Sequence, residues 1–374
     1  MLPRLAARAL ALIILAGLSA EPAAAQHAAA GLMQREWVDA SRPDLLDDAG
    51  SGRPVRATIW YPVAPQAGAE IDTIEIAATT PDGTLFRFGQ AAPGQSPAPG
   101  DHPLIALSHG NGGSAMQMMW LGQRLAEAGH VVVAANHHGN TAVEDRQDLR
   151  AFAAPWERSI DIQFMIDAML SDPVFGPLID AGRIGVGGFS AGGFSALAAA
   201  GATPDFDALE AFCDSPQRDA TCDPQLENPD LSGRRDELEG DSVYQASLAR
   251  LDALEGDPRI GAVFILAPAP AQAFTPDGTA GFDTPLGILA GNADAVAPAS
   301  TNAAWVAQLV PAAQYRLIEG GVGHYAFLAP CGAAGMQTLP DFCEDAPGVD
   351  RTAIHEQAAQ EAIAFFDREL GEAD

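Results

Sequence analysis

The stretch RIGVGGFSAGGFSALAAA, residues 183–200, sets Ser190 among five glycines, between a short apolar run and an alanine-rich segment. Glycine in regular structure costs roughly 0.5–1 kcal/mol relative to alanine, so a local geometric demand must hold it here. A strand that becomes a helix within one residue makes such a demand. The residues two before and two after the bend have to pass each other closely, and Gly188 and Gly192 stand at those places. The pattern predicts a strand ending at Ser190 and a helix starting at Ala191, with the serine on a tight, strained turn. Glycine-rich turns of this kind also cradle phosphates. That reading fails because GVGGFS lacks the G-x-G-x-x-G spacing and the chain contains no lysine.

The surrounding pattern supplies a frame for the turn. From His102 onward, apolar runs alternate with longer amphipathic segments. Strands are predicted at PLIALSHG (103–110), VVVAANHHG (131–139), RIGVGGFS (183–190), IGAVFILAPA (260–269), PLGILAG (285–291) and AQYRLIEG (313–320). Helices are predicted from Ala115 to Ala128, Ser159 to Leu170, Ala191 to Ala200, Thr301 to Leu309 and Thr352 to Leu370. Continuous apolar strands separated by helices imply a mostly parallel α/β sheet covered on both faces, with its site at the carboxyl ends of the strands. Residues 26–100 are rich in proline, glycine and strand-like runs such as VRATIWYP (55–62), and are expected to form an antiparallel edge. Residues 203–257 interrupt the alternation with a polar, acidic segment that includes SGRRDELEGDS; this reads as a cap inserted above the strand ends.

A serine hydroxyl is a poor nucleophile alone, so a base and an orienting acid are expected in the order Ser, Asp/Glu, His. Of eight histidines, His102, His109, His130, His137 and His138 precede the serine; His27 lies near the N-terminus and His355 is expected on a helix surface. That leaves His324, in EGGVGHYAF just after the last predicted strand, as the base. Asp294, in the loop that follows PLGILAG, is the matching acid; Asp283 precedes that strand and Glu319 is too close to His324. An oxyanion hole needs two backbone N–H groups aimed at developing negative charge. Ala191, at the helix N-terminus, is expected to supply one. Asn111, or alternatively Gly112, in LSHGNGGSA is expected to supply the other. His109 reads as a brace for that turn. His137 and His138 are neighbours on a strand and point to opposite faces, which argues against metal chelation. Phe189 with Met116, Met118, Met119 and Trp120 is a candidate lining for an acyl pocket.

Composition places the chain. Residues 1–25 combine Arg4 and Arg8, an apolar run and Ala23-Ala24-Ala25, as in a secretory signal peptide cleaved before Gln26. Residues 26–374 are then expected to form a single domain, secreted or periplasmic, with no stable membrane anchor. The four cysteines fall into two close pairs, Cys213 with Cys222 and Cys331 with Cys343, which suits local disulfides in an oxidising compartment. All twenty basic residues are arginine against 49 acidic ones, for a formal charge of −29. The lack of lysine excludes Schiff-base and P-loop-lysine chemistry. The charge excludes nucleic acid as a partner. No metal or cofactor is called for, and the oligomeric state is left open.

Taken together, VRATIWYP, LSHGNGG, ANHHGNT, GFSAGG, GNADAVAP and GVGHYAF resemble a secreted α/β hydrolase. The set is similar to the bacterial "predicted dienelactone hydrolase" group and to platelet-activating-factor acetylhydrolases. The resemblance implies the α/β-hydrolase fold and an esterase with Ser190 as nucleophile, His324 as base, Asp294 orienting it, and Asn111 and Ala191 as oxyanion donors. It implies a small-molecule or polymeric ester substrate, short-chain or lipid-like. Dienelactone hydrolases carry a cysteine where this chain has Ser190, so that activity is not implied. Rival readings are a polyester hydrolase, a serine peptidase and a non-catalytic binding protein on the same fold.

Overall fold

A computed structural model describes residues 29–47, 50–64, 71–228 and 234–371. The expected signal peptide, residues 1–25, lies outside them. Ten strands form one sheet: β1 (Ala30–Pro43), β2 (Gly52–Pro62), β3 (Ile74–Thr80), β4 (Gly83–Pro93), β5 (His102–Ser108), β6 (Val131–Asn136), β7 (Ile179–Phe189), β8 (Ile260–Leu266), β9 (Leu286–Gly291) and β10 (Gln314–Ile318). Their spatial order is β10-β9-β8-β7-β5-β6-β2-β1-β4-β3. The six strands from β5 to β10 run parallel, and these are the six apolar runs read from the sequence. On β6 the sheet changes sense. β2 pairs with it antiparallel, β1 pairs antiparallel with β2, and the β3–β4 hairpin joins β1 through Gly31↔Ala92 and Leu32↔Pro93.

Alternation along each strand sends its side chains to two separate cores. Leu104, Ala106, Val131 and Val133 face one side, Ile105, Leu107, Val132 and Ala134 the other. Helices cover both. In chain order they are α1 (Met119–Glu127), α2 (Leu149–Ala153), α3 (Trp156–Leu170), α4 (Ala191–Ala199), α5 (Phe206–Cys213), α6 (Ser242–Asp252), α7 (Ala303–Leu309), α8 (Ala333–Thr338), α9 (Pro340–Cys343) and α10 (Arg351–Leu370). The first core takes Met165 and Ile166 of α3, Phe194 and Leu197 of α4 and Val306 of α7. The second takes Leu121 and Leu125 of α1 with Phe365 and Phe366 of α10. Such burial, at about 25 cal/mol per Å² of apolar surface, is the main force holding helices to sheet. The parallel strands β5, β7, β9 and β10 therefore have their carboxyl ends on one rim of the sheet.

Two expectations from the sequence change here. Met118, Met119 and Trp120 are buried in the second core, at the start of α1, and so do not form an acyl pocket. Their spacing belongs to a helix packed on the sheet. His355 is also buried, because α10 lies between α1 and the turn at 324–327. Its ring stacks on Trp120 with centroids 4.2 Å apart, and Nε2–H donates to the Ala326 carbonyl at 2.9 Å.

Burial, with Arg351 nearby, pushes the His355 pKa down to about 3; burial and Arg158 do the same to His137. Both imidazoles are neutral in the fold yet accept a proton near pH 6.5 in the unfolded chain. Between those values the unfolded state binds more protons, so stability falls as pH falls, by up to about 1.4 kcal/mol per unit for each histidine. Urea midpoints are expected to drop steadily from pH 7 to pH 5, where few carboxylates titrate, and His355→Gln should flatten the decline. A midpoint constant across that range in the unmodified protein would contradict this account.

Two disulfides close short loops, Cys213–Cys222 and Cys331–Cys343. Among the described residues, no helix is long and apolar enough to cross a membrane.

Candidate active site

β7 ends at Phe189 and α4 begins at Ala191, leaving Ser190 alone at the bend with φ 56° and ψ −120°. A non-glycine residue rarely holds positive φ, and such strain concentrates at functional sites. The Ser190 N–H donates to the Leu266 carbonyl at 2.9 Å, and its own carbonyl accepts from Gly193 N–H at 2.8 Å. The glycines now have their physical reason. A Cβ on Gly188 would fall 2.2 Å from the Gly192 carbonyl oxygen. One on Gly192 would fall 1.9 Å from the Ser108 oxygen and 2.8 Å from that of His109. These contacts are with backbone, which has no room to yield. Phe189, also expected in an acyl pocket, instead packs beneath the His324 ring at 4.8 Å.

Three side chains meet at this rim. His324 begins the turn after β10, and its Nε2 lies 3.0 Å from Ser190 Oγ. Its Nδ1 lies 2.7 Å from Asp294 Oδ2, in the loop after β9. Asp294 is itself held, Oδ1 accepting the N–H groups of Val296 at 3.0 Å and Ala297 at 2.7 Å. All three residues are buried. A carboxylate only accepts, so Nδ1 carries the imidazole proton and Nε2 is left to accept from the serine hydroxyl.

Across from the serine, the loop 110–113 is tied down by the loop after β6. The Gly112 N–H donates to Asn140 Oδ1 at 2.7 Å, and Asn140 Nδ2 donates to Asn111 Oδ1 at 3.0 Å. The Gly113 carbonyl accepts from Ala142 N–H at 2.8 Å and from the Thr141 hydroxyl at 2.9 Å. Gly112 is therefore already engaged. The N–H groups of Asn111 and Ala191 have no partner among the described residues, and both residues line the same cavity as Ser190. Asn140 was not singled out from the sequence. Its one sign there is its place in ANHHGNT, which says nothing about its partners.

The histidines ahead of the serine brace this loop from beneath. His109 Nδ1–H donates to the Gly110 carbonyl at 2.6 Å, and its Nε2 accepts from the His137 N–H at 3.2 Å. His137 bridges Ser108 Oγ at 2.8 Å and Asp161 Oδ2 at 2.9 Å. Asp161 also receives Arg53 through two bonds of 2.8 Å and pairs with Arg42 at 2.7 Å; against the opposing effect of burial, these two guanidinium groups hold its carboxyl well below the usual range. The buried Arg158 guanidinium donates to the His109 carbonyl. His138 points the other way, to Glu144 at 2.7 Å.

Ser190 opens into a cavity of about 430 Å³. Leu149, Phe152 and Ala153 of α2 form part of its apolar wall, with Pro270 and Val296 from the strand-end loops. The acidic segment supplies another wall, through Phe206, Leu209, the Cys213–Cys222 disulfide, Glu227 and Arg235.

A mostly parallel sheet flanked on both faces, with a strand–serine–helix bend on a central strand, is the α/β-hydrolase fold. No family model and no curated protein matches the chain in sequence. Among many similar solved structures, a ferulic acid esterase from Streptomyces cinnamoneus is alike over 93% of this chain and 92% of its own. The TM-score is 0.60 and the identity 21%, a likeness of fold.

Proposed function

We propose that the protein is a serine carboxylic-ester hydrolase that works through an acyl-enzyme and acts on short-chain or lipid-like esters. The observation that carries this reading is the chain of contacts from Ser190 through His324 to Asp294, at 3.0 and 2.7 Å. His324 Nε2 takes the hydroxyl proton as Ser190 Oγ attacks the ester carbonyl. The tetrahedral oxyanion is held by the Asn111 and Ala191 N–H groups, the second at a helix N-terminus whose dipole favours negative charge. His324 then gives its proton to the leaving alcohol, and water enters by the same steps in reverse order. Asp294 keeps the proton on Nδ1 throughout and offsets the charge of the imidazolium.

A cavity of this volume is the size that takes one small ligand, which favours a small ester over a polymer. The similar fold of an esterase and the sequence resemblance to acetylhydrolases support the ester-hydrolase reading. The two disulfides fit a secreted or periplasmic location, with the leader removed before Gln26.

A fluorophosphonate probe is expected to label the protein once, on the peptide that contains Ser190, and to abolish hydrolysis of p-nitrophenyl acetate. An unlabelled protein would make it a binding module, and cleavage of aminoacyl amides in preference to esters would make it a peptidase.

A further inference from the structure

Asn140 follows β6 on a loop that is fixed from several sides. Its own N–H donates to the His137 carbonyl at 2.8 Å, and the Gly139 carbonyl accepts the Asp148 N–H at 2.8 Å. Glu144 ties the same loop by accepting from the Gly139 N–H at 2.8 Å and from His138 Nδ1 at 2.7 Å. The Asn140 side chain is buried, so both ends of its amide need partners within the protein. They find them on the loop after β5: Oδ1 accepts the Gly112 N–H at 2.7 Å, and Nδ2 donates to Asn111 Oδ1 at 3.0 Å.

These two bonds cannot exchange their polarity. A backbone N–H only donates, so Gly112 takes the Asn140 oxygen, and the Asn140 NH₂ is left to face an acceptor. Asn111 Oδ1 is that acceptor. Asn111 is thereby held at two points, on its side chain and on the peptide that follows it. Among the described residues no other side chain bonds to Asn111 or to the Gly112 N–H. Gly112 itself sits at φ 60°, a left-handed conformation that glycine enters freely. The Gly113 N–H closes the turn on the Gly110 carbonyl at 3.2 Å.

We infer that Asn140 is a positioning residue for ester hydrolysis: it holds the Asn111 N–H where the oxyanion forms. The inference rests on the hydrolase reading and deepens it. Asn140 acts through the loop and is absent from the lining of the Ser190 cavity, whereas Asn111 is part of it. A donor stabilises developing charge best when it is already aimed and need not reorient during the reaction. Losing one such donor outright costs about 10²–10³ in kcat, and loosening one should cost less.

Asn140→Ala is therefore expected to lower kcat on p-nitrophenyl acetate by about ten- to a hundredfold, with KM within about threefold of the parent. Two readouts separate this from general damage to the site. The acidic limb of kcat/KM against pH, which reports the base of the free enzyme, should stay where it is in the parent. Affinity for benzeneboronic acid, whose tetrahedral adduct with Ser190 Oγ offers an oxygen to the same donors, should fall in proportion to kcat/KM. Asn111→Ala is the second variant, informative even where Asn140→Ala does not fold. It keeps the backbone donor and the Gly112 bond, loses only the hold on the side chain, and should lower kcat about three- to tenfold. A folded Asn140→Ala protein with kcat within threefold of the parent overturns the inference. So does a shifted acidic limb, an unchanged boronate affinity, or an Asn111→Ala protein with parental kcat. An active parent indifferent to both substitutions removes this inference alone; a parent that hydrolyses no ester and binds no boronate removes the hydrolase reading with it.

Discussion

Ser190→Ala is expected to lower kcat on p-nitrophenyl acetate by about 10³-fold or more, with little change in KM. The methyl group keeps the volume of the bend and removes only the atom that attacks. Ser190 precedes α4 as its N-cap, but its side chain makes no capping bond there, so the substitution takes nothing from the helix. Alanine meets the same positive φ as serine, and the strain of the turn is unchanged. The variant should therefore unfold within a few degrees of the parent protein, which separates lost chemistry from lost structure. On the proposed mechanism, its residual rate measures what binding and the two oxyanion donors achieve without a covalent step. Were kcat to fall less than tenfold in a folded variant, the attacking atom would belong to another residue or to water.

The fold was legible where period and composition agree. β5, β6, β8 and β9 announce themselves as apolar runs, because a strand buried on both faces has no polar side to show, whereas β10, at the sheet edge, carries Gln314 and Arg316. The early strands were harder. β1 carries Gln34, Arg35, Glu36 and Asp39 in place of an apolar run, since it lies toward the edge and exposes one face. Its buried charges are neutralised by partners far along the chain, such as Arg42 with Glu157 at 3.1 Å, and no local pattern reveals such pairs. His355 misled for a related reason. Histidine in an amphipathic helix suggests a wet face, and only the approach of Trp120 and Ala326 makes that position dry.

At the site, the glycine bend and the order Ser, Asp, His were readable because each is a constraint on chain order. Asn140 and Glu227 were not. Each acts on a loop some 29 or 98 residues away, through a side chain whose residue type is common on any surface. Whether the Asn111 or the Gly112 N–H is engaged within the fold was likewise closed to sequence. The Gly112 N–H is spent on Asn140, a residue 28 positions on.

Asp294→Asn should cost about 10⁴-fold in kcat, more than most losses of a single hydrogen bond. The size follows from what the amide does to the imidazole. A carboxylate at this position only accepts, which fixes the proton on His324 Nδ1 and leaves Nε2 free to receive the serine proton. Asparagine keeps the shape, and its oxygen can still take the Val296 and Ala297 N–H groups that Asp294 Oδ1 accepts. Its NH₂ then faces Nδ1 and donates, which drives the imidazole proton to Nε2. The base is now protonated on the wrong nitrogen, and the imidazolium that forms during attack has lost its counter-charge. The two nearby carboxylates among the described residues are otherwise engaged. Glu319, the other carboxylate near this strand end, receives Asn292 Nδ2 at 2.6 Å, and Glu227 is held by Tyr325. Substrate binding does not pass through Asp294, so KM should stay close to that of the parent while kcat collapses. A variant retaining more than a tenth of the parent kcat would mean that His324 is oriented by something other than this carboxylate.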